Sequence, residues 1–228
     1  MGFLVARDRY IDDYLQSCLD DGLEQLVILG AGYDSRAYRF DQLDSCQVFE
    51  IDHPATQRVK IEKLEKILGN LPDHVVYVPI DFEQETLETR LFESGYDEQK
   101  KTLFIWQGVT QYLTSEAVDS TLAFVAHHSG LGSSIVFDYM YTSLLDGSIK
   151  RGEVSGMRRY RRITGEGFNF GIPEGTIEAF LEQRGFYQVR NADHKFLKKT
   201  YFTGVNQKRK VTSGYAIASA TVKPRGDK

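Results

Sequence analysis

Five short apolar runs most constrain what this chain can fold into: QLVILG (25–30), QVFEI (47–51), VVYVPI (75–80), TLFIW (102–106) and SSIVFDY (133–139). They are mostly continuous rather than alternating, as strands are when both faces are covered, and helical periodicity fills the segments between them. Helices are expected near 9–20, 34–40, 54–69, 84–93 and 115–128, with a later one at 174–184. Pro54 suits a first helical position, and Arg184-Gly185 reads as a helix stop. Two further strands are expected at 186–191 and 213–222. The last follows the sixth too closely for a helical crossover, so it is expected to pair antiparallel. The alternation predicts an α/β three-layer sandwich with a mostly parallel seven-stranded sheet, which binds ligands at the carboxyl ends of its strands.

Within 228 residues no Pro- or Gly/Ser-rich stretch marks a boundary, so one domain is expected over 1–228. The least regular part, 140–172, reads as an insertion lying over the ligand crevice; it contains Arg158, Arg159, Arg161 and Arg162. No apolar run approaches the ~20 residues of a membrane span, and the N-terminus MGFLVARDRYIDDYL lacks the regions of a signal peptide. A cytoplasmic chain without a membrane partner is expected. Cys18 and Cys46 form no CxxC pair and have no His at ligand spacing, which argues for two reduced thiols and no metal. Residues 1–149 hold 11 Lys and Arg against 25 Asp and Glu, and 150–228 hold 17 against 7. A basic last third can attract an anionic substrate or simply keep the surface solvated.

The first run continues as VILGAGYDSRAYRF (27–40), a strand entering a glycine turn and then a helix. Gly30-Ala31-Gly32 allows close backbone approach to a ligand, most often a phosphate at the helix N-terminus. The third glycine of a dinucleotide fingerprint would fall at 35, which is Ser, and 34 is Asp. Asp34 is either a helix cap or a charge that disfavours a pyrophosphate, since like charges a few Å apart repel by about 1 kcal/mol even in water. Asp52 ends the second strand, 22 residues after Gly30, where an acid accepts from ribose hydroxyls; Glu50, on the same face, is the reserve. The third strand ends in Asp81-Phe82, an acid for an adenine amino group with an aromatic beside it. Three acids at three consecutive strand ends, with no Lys or Arg expected to compensate them in the turns, describe an acidic crevice. Its best ligand is an adenosine bearing positive charge and no phosphate, as S-adenosylmethionine does.

ARDRYIDDYL (6–15), LGAGYDSRAYRF (29–40), FEIDHP (49–54), PIDFE (79–83), WQGVTQYLT (106–114), GFNFGIP (167–173) and FLEQRGF (180–186) together resemble the leucine carboxyl methyltransferase family and its bacterial and archaeal relatives. The resemblance implies a Rossmann-like class I methyltransferase using S-adenosylmethionine. By position it implies Arg7 on the methionine carboxylate, Gly30, Ala31 and Gly32 along the methionine portion, Asp52 on the ribose, and Asp81 with Phe82 at the adenine. Where most relatives carry Glu, this chain has Gln107, which keeps a hydrogen bond but removes a negative charge, so weaker cofactor affinity is expected. Relatives carry several tens of residues before the ARDRYID helix; a more open site or a truncated product is expected. Methyl transfer from a sulfonium is an in-line displacement that demands positioning. A carboxylate needs no base for it, whereas a hydroxyl does. Of the five histidines only His53 is expected near the crevice, supporting the turn before Pro54, and Tyr112 lines the methyl site or the core. No catalytic residue is assigned. The acceptor expected is a small molecule or peptide with an acidic oxygen, without nucleic acid. An NAD(P)-dependent oxidoreductase and a non-catalytic adenosyl-binding module are the alternatives.

Overall fold

The computed structural model describes residues 2–81, 84–146 and 167–224. Seven strands form one sheet: β1 (Gln25–Leu29), β2 (Gln47–Asp52), β3 (Val75–Pro79), β4 (Thr102–Trp106), β5 (Ser134–Met140), β6 (Phe186–Ala192) and β7 (Tyr215–Val222). Their order is β3-β2-β1-β4-β5-β7-β6, with β1 to β5 parallel and β7 antiparallel to both its neighbours. The helices are α1 (Gly2–Asp20), α2 (Arg36–Arg39), α3 (Pro54–Leu68), α4 (Leu87–Glu93), α5 (Ser115–His127), α6 (Thr142–Leu145), α7 (Ile177–Glu182) and α8 (His194–Tyr201). Among the described residues no helix is long and apolar enough to cross a membrane.

The continuous apolar runs are continuous because both faces are packed. Every residue of β1, β4 and β5 is buried. Leu26 and Ile28 of β1 join Ile11 and Leu15 of α1 in one core, while Val27 and Leu29 join Val118, Leu122 and Val125 of α5 in the other. Alternate side chains thus serve opposite layers, as the strand period of two requires. The outer strand β6 is mostly exposed along its middle, where it has a single neighbour.

Two expectations change. The helix expected over 34–40 is one turn, followed by a 3₁₀ turn at Asp41–Ser45. The β6–β7 connection is long enough for a helix, α8, which packs on α1: the Tyr201 hydroxyl donates to Asp13 at 2.7 Å, and Phe196 meets Tyr10 edge-on. β7 is antiparallel because this connection goes out and returns to the same edge of the sheet, where the Tyr141 N–H donates to the Gly214 carbonyl at 2.9 Å. Most of the expected insertion, 147–166, lies outside the described residues, and Arg158, Arg159, Arg161 and Arg162 with it. Its far end is anchored: Ile172 bridges to Tyr141, and the Asn169 N–H donates to the Gln111 carbonyl at 2.8 Å.

Candidate functional site

The glycine turn follows β1 directly. Gly30 has φ +65°, and a Cβ there would stand 2.5 Å from Cγ2 of Val109, so the turn closes over the β4 loop only with glycine at this place. The Ala31 N–H donates to the Ile51 carbonyl at 2.9 Å, fixing the turn against the end of β2. That pairing brings Asp52 under the turn. The Gly32 N–H donates to Oδ2 of Asp52, and the His53 N–H donates to Oδ1 at 2.7 Å. Each carboxylate oxygen keeps a lone pair for a further donor, such as a hydroxyl. His53 caps α3, its Nδ1 accepting from the Ala55 N–H at 3.2 Å, so its ring supports the turn before Pro54.

Asp34 is not an uncompensated charge. It accepts from the Arg36 N–H at 2.8 Å and pairs with the Arg36 guanidinium, which is buried. Arg36 also donates to Asp12 of α1 at 2.8 Å, and Arg39 grips both Asp12 oxygens at 2.7 Å. The compensating cation sits inside the quoted glycine stretch. Its second partner lies 24 residues upstream, which no local pattern reveals.

On the other side of the turn Arg7 of α1 donates to Asp138 of β5 at 2.7 Å. The other Asp138 oxygen accepts from the Gly108 N–H at 2.6 Å. Gly108 has φ +74°, and a Cβ there would meet Nη1 of Arg7 at 3.3 Å. Asp138 is 1% exposed and was absent from the expected site, being 131 residues from Arg7 in sequence. Beside this pair Nε2 of Gln107 donates to Asp8 at 2.7 Å. Two buried polar atoms here have no hydrogen-bond partner among the described residues, Nε of Arg7 and Oε1 of Gln107. A buried donor and a buried acceptor left open in one place cost stability unless something else satisfies them.

Two cavities meet at Leu29, Gly30, Gly32 and Gly108. The smaller, about 410 Å³, is ringed by Arg7, Asp8, Asp34, Arg36 and Gln107, with Ala31 in its wall. The larger, about 990 Å³, runs past Asp52 and His53, over Trp106 and Val109, and between α4 and α5 along Leu113, Ala117 and Phe124. Together they form a crevice with a charged end and an apolar end, joined at the glycine turn. Asp81 lines neither cavity; its carboxylate accepts from Gln84 at 3.0 Å and its N–H donates to Glu85 at 3.1 Å. Phe82 lies outside the described residues. Tyr112 also lines neither cavity and stacks on Phe168 with centroids 5.5 Å apart. Glu50 points away from the crevice into the core, 2.7 Å from Nζ of Lys60, and cannot serve a ligand.

His127 and His128, not expected near the site, line the larger cavity. His127 ends α5, about 18 Å along the helix from Ser115, and His128 caps it. His128 is held by Glu98 at 2.8 Å. No group of three or more His, Cys, Asp or Glu among the described residues could hold a metal.

The chain matches the leucine carboxyl methyltransferase family over residues 1–126. A Bacillus subtilis protein, YktD, provisionally named as an S-adenosyl-L-methionine-dependent methyltransferase, is 36% identical over 182 residues, 79% of this chain and 60% of that one. A Mycobacterium tuberculosis protein with the same provisional name is 31% identical over 159 residues, 70% of this chain and 50% of that one. The chain therefore spans 50 to 60% of the length of these two relatives. Among solved structures, magnesium protoporphyrin IX methyltransferase from Synechocystis with bound S-adenosylhomocysteine aligns over 97% of this chain and 86% of its own, with a TM-score of 0.57 and 13% identity. An O-methyltransferase family protein from Burkholderia thailandensis aligns over 97% of this chain and 60% of its own, with a TM-score of 0.58 and 13% identity. At such identities the likeness is one of fold, that of the class I methyltransferases.

Proposed function

The chain belongs to the leucine carboxyl methyltransferase family, and on that premise we propose that it is an S-adenosylmethionine-dependent O-methyltransferase whose acceptor is a carboxylate or other acidic oxygen of a small molecule or peptide. The observation that carries the cofactor reading is the Gly32 N–H, which is given to Asp52. In a dinucleotide site the turn's N–H groups face phosphate; here a carboxylate already occupies one of them and would repel a phosphate. A ligand with ribose hydroxyls, a positive charge and no phosphate fits that arrangement. Asp52 would hold the ribose, Gly30, Ala31 and Gly32 the methionine chain, and Arg7, oriented by Asp138, the carboxylate. Asp81 and Phe82 remain the residues proposed at the adenine by family position.

S-adenosylmethionine supplies an electrophilic methyl group on a sulfonium, so the chain's own task is to orient the acceptor oxygen about 3 Å from it and keep water away. An acidic oxygen is already ionised near neutrality and needs no base. That choice of acceptor is favoured by family membership. A cytoplasmic location goes with this reading.

Calorimetric titration with S-adenosylhomocysteine tests it. Micromolar binding by wild type, weakened at least tenfold in Asp52→Ala, is expected. No binding to wild type, or equal binding by both proteins, rejects the site. Methyl label released as methanol by mild alkali marks a carboxyl ester, whereas an alkali-stable product rejects the carboxylate acceptor.

A further inference from the structure

The basic last third of the chain supplies none of the described residues that line either cavity. Part of its charge gathers elsewhere, on one surface. The connection from β6 to β7 carries Lys195, Lys198, Lys199, Lys208, Arg209 and Lys210, and no Asp or Glu over 194–214. All six cations are exposed, and none is in an ion pair among the described residues. Leu197 is the buried residue of α8, and Lys195, Lys198 and Lys199, spaced i, i+3 and i+4, form one exposed face of that helix. The two carboxylates that touch α8 are occupied: Asp193 accepts from the Phe196 N–H at 2.8 Å, and Asp13 from the Tyr201 hydroxyl at 2.7 Å. The run 208–210 returns to the start of α1, where a Cβ on Gly2 would stand 2.2 Å from the Lys210 carbonyl oxygen. The basic surface thus follows α1 from Gly2 to Asp13, about 16 Å at the helical rise. Apolar side chains stand among the cations: Phe196 is 46% exposed and Val205 is 99% exposed.

We propose that this surface docks the protein reversibly on an anionic lipid surface, with the six cations at the head groups and Phe196 and Val205 entering the head-group boundary. Lysines interleaved with exposed apolar side chains are the pattern that binds such a boundary, through charge and buried apolar area together. Two other partners fit less well. Protein interfaces are depleted in Lys, and five of these six cations are Lys. Single-stranded nucleic acid is held by stacking of bases on aromatic rings, and the fully exposed Val205 offers none. The rest of the chain sets the orientation. Residues 1–149 hold 11 Lys and Arg against 25 Asp and Glu, so an anionic surface repels them and attracts the 194–214 face. Among the described residues no helix is long and apolar enough to cross a membrane, so the contact is with the surface alone. The proposal revises the expectation of a chain without a membrane partner.

Co-sedimentation with lipid vesicles tests it. Wild type is expected to bind vesicles of phosphatidylcholine mixed with phosphatidylserine, to ignore vesicles of phosphatidylcholine alone, and to leave the anionic vesicles when salt is raised from about 0.1 to about 1 M. Each Lys lost from the surface should weaken the partition about fivefold, so Lys195→Gln/Lys198→Gln/Lys199→Gln should weaken it about a hundredfold. These three side chains are exposed and Leu197 is untouched, so circular dichroism of the triple variant is expected to match wild type. Val205→Ser keeps every charge and should lose about threefold, the share of apolar burial. Failure of wild type to bind the anionic vesicles, or equal binding by wild type and the folded triple variant, overturns the docking surface. Unchanged binding by Val205→Ser, or equally tight binding of wild type to a single-stranded RNA or to polyglutamate, overturns the lipid assignment and makes the patch a general polyanion site.

Discussion

Asp138 of β5 and Glu50 of β2 are both fully buried carboxylates facing a basic side chain, and they are held in different ways. Asp138 accepts from Arg7 and from the Gly108 N–H, at 2.7 and 2.6 Å, so both oxygens have directed donors. Arginine presents a fixed planar fork with a permanent charge. Glu50 has the Lys60 ammonium 2.7 Å away, in a geometry that completes no hydrogen bond, and burial pushes its carboxyl up to about 7 against that ammonium. The first pair is a bracket that holds a guanidinium in the wall of the charged cavity. The second is a core pair in which the acid can relieve its own cost by taking a proton. On the reading proposed for the crevice, the pair of good geometry serves the site and the acid pushed toward neutrality serves the core.

Breaking the first pair should produce the larger effect. Asp138→Asn leaves the Arg7 guanidinium partly unpaired inside the protein, and such losses cost about 3–5 kcal/mol. Stability by urea unfolding is expected to fall by that order, and S-adenosylhomocysteine affinity by more than tenfold because Arg7 is no longer aimed. Wild-type affinity in a folded Asp138→Asn protein would remove the distinction between the pairs. Lys60→Met should cost less, about 1–3 kcal/mol at pH 8 by the penalty for an unpaired buried group. Glu50 protonates instead, so the loss should shrink at pH 5. Affinity for S-adenosylhomocysteine is expected within twofold of wild type, since neither residue lines the crevice. A large affinity loss in this variant would tie the core pair to the site after all.

The same contrast explains what the amino-acid sequence disclosed. Continuous apolar runs marked β1, β4 and β5 because those strands are buried on both faces, and the glycines of the turn stand where φ is positive. Asp52 was legible because strand and turn lengths fix its distance from Gly30. The bracket was not, because Arg7 and Asp138 come from opposite ends of the sheet's build order, and a single Asp within SSIVFDY carries no local mark of its partner. Arg36 was hidden likewise by a partner in another helix. The helix α8 was missed because it is short and lysine-rich and buries only Leu197, so few apolar residues mark it. Glu50 and Asp52 share a strand face, yet the end of the strand is where one residue leaves the core and the other does not.

The pH dependence of stability gives the finest cut between the pairs. Burial is the main cause that raises the Glu50 carboxyl from an ordinary 4.5 to about 7; Lys60 and Tyr38 oppose the rise, and Asp34 adds to it. Burial raises the Tyr38 phenol as well, and Tyr38 shares a 3.0 Å contact with Tyr77, so both stay neutral here. Between pH 4.5 and 7 the folded chain keeps a proton on Glu50 that the unfolded chain has released. The folded state binds more protons, so stability falls as pH rises through this window. The contribution is whole below about 4.5 and gone above about 7, and the shift limits it to roughly 3 kcal/mol. Urea unfolding of wild type is therefore expected to lose stability from pH 5 to 8 relative to Glu50→Gln/Lys60→Met, which lacks both partners. In Lys60→Met the opposing ammonium is gone, and the window should extend above pH 7. Parallel profiles for wild type and the double variant would mean that Glu50 stays ionised in the core and that the two pairs are equivalent after all.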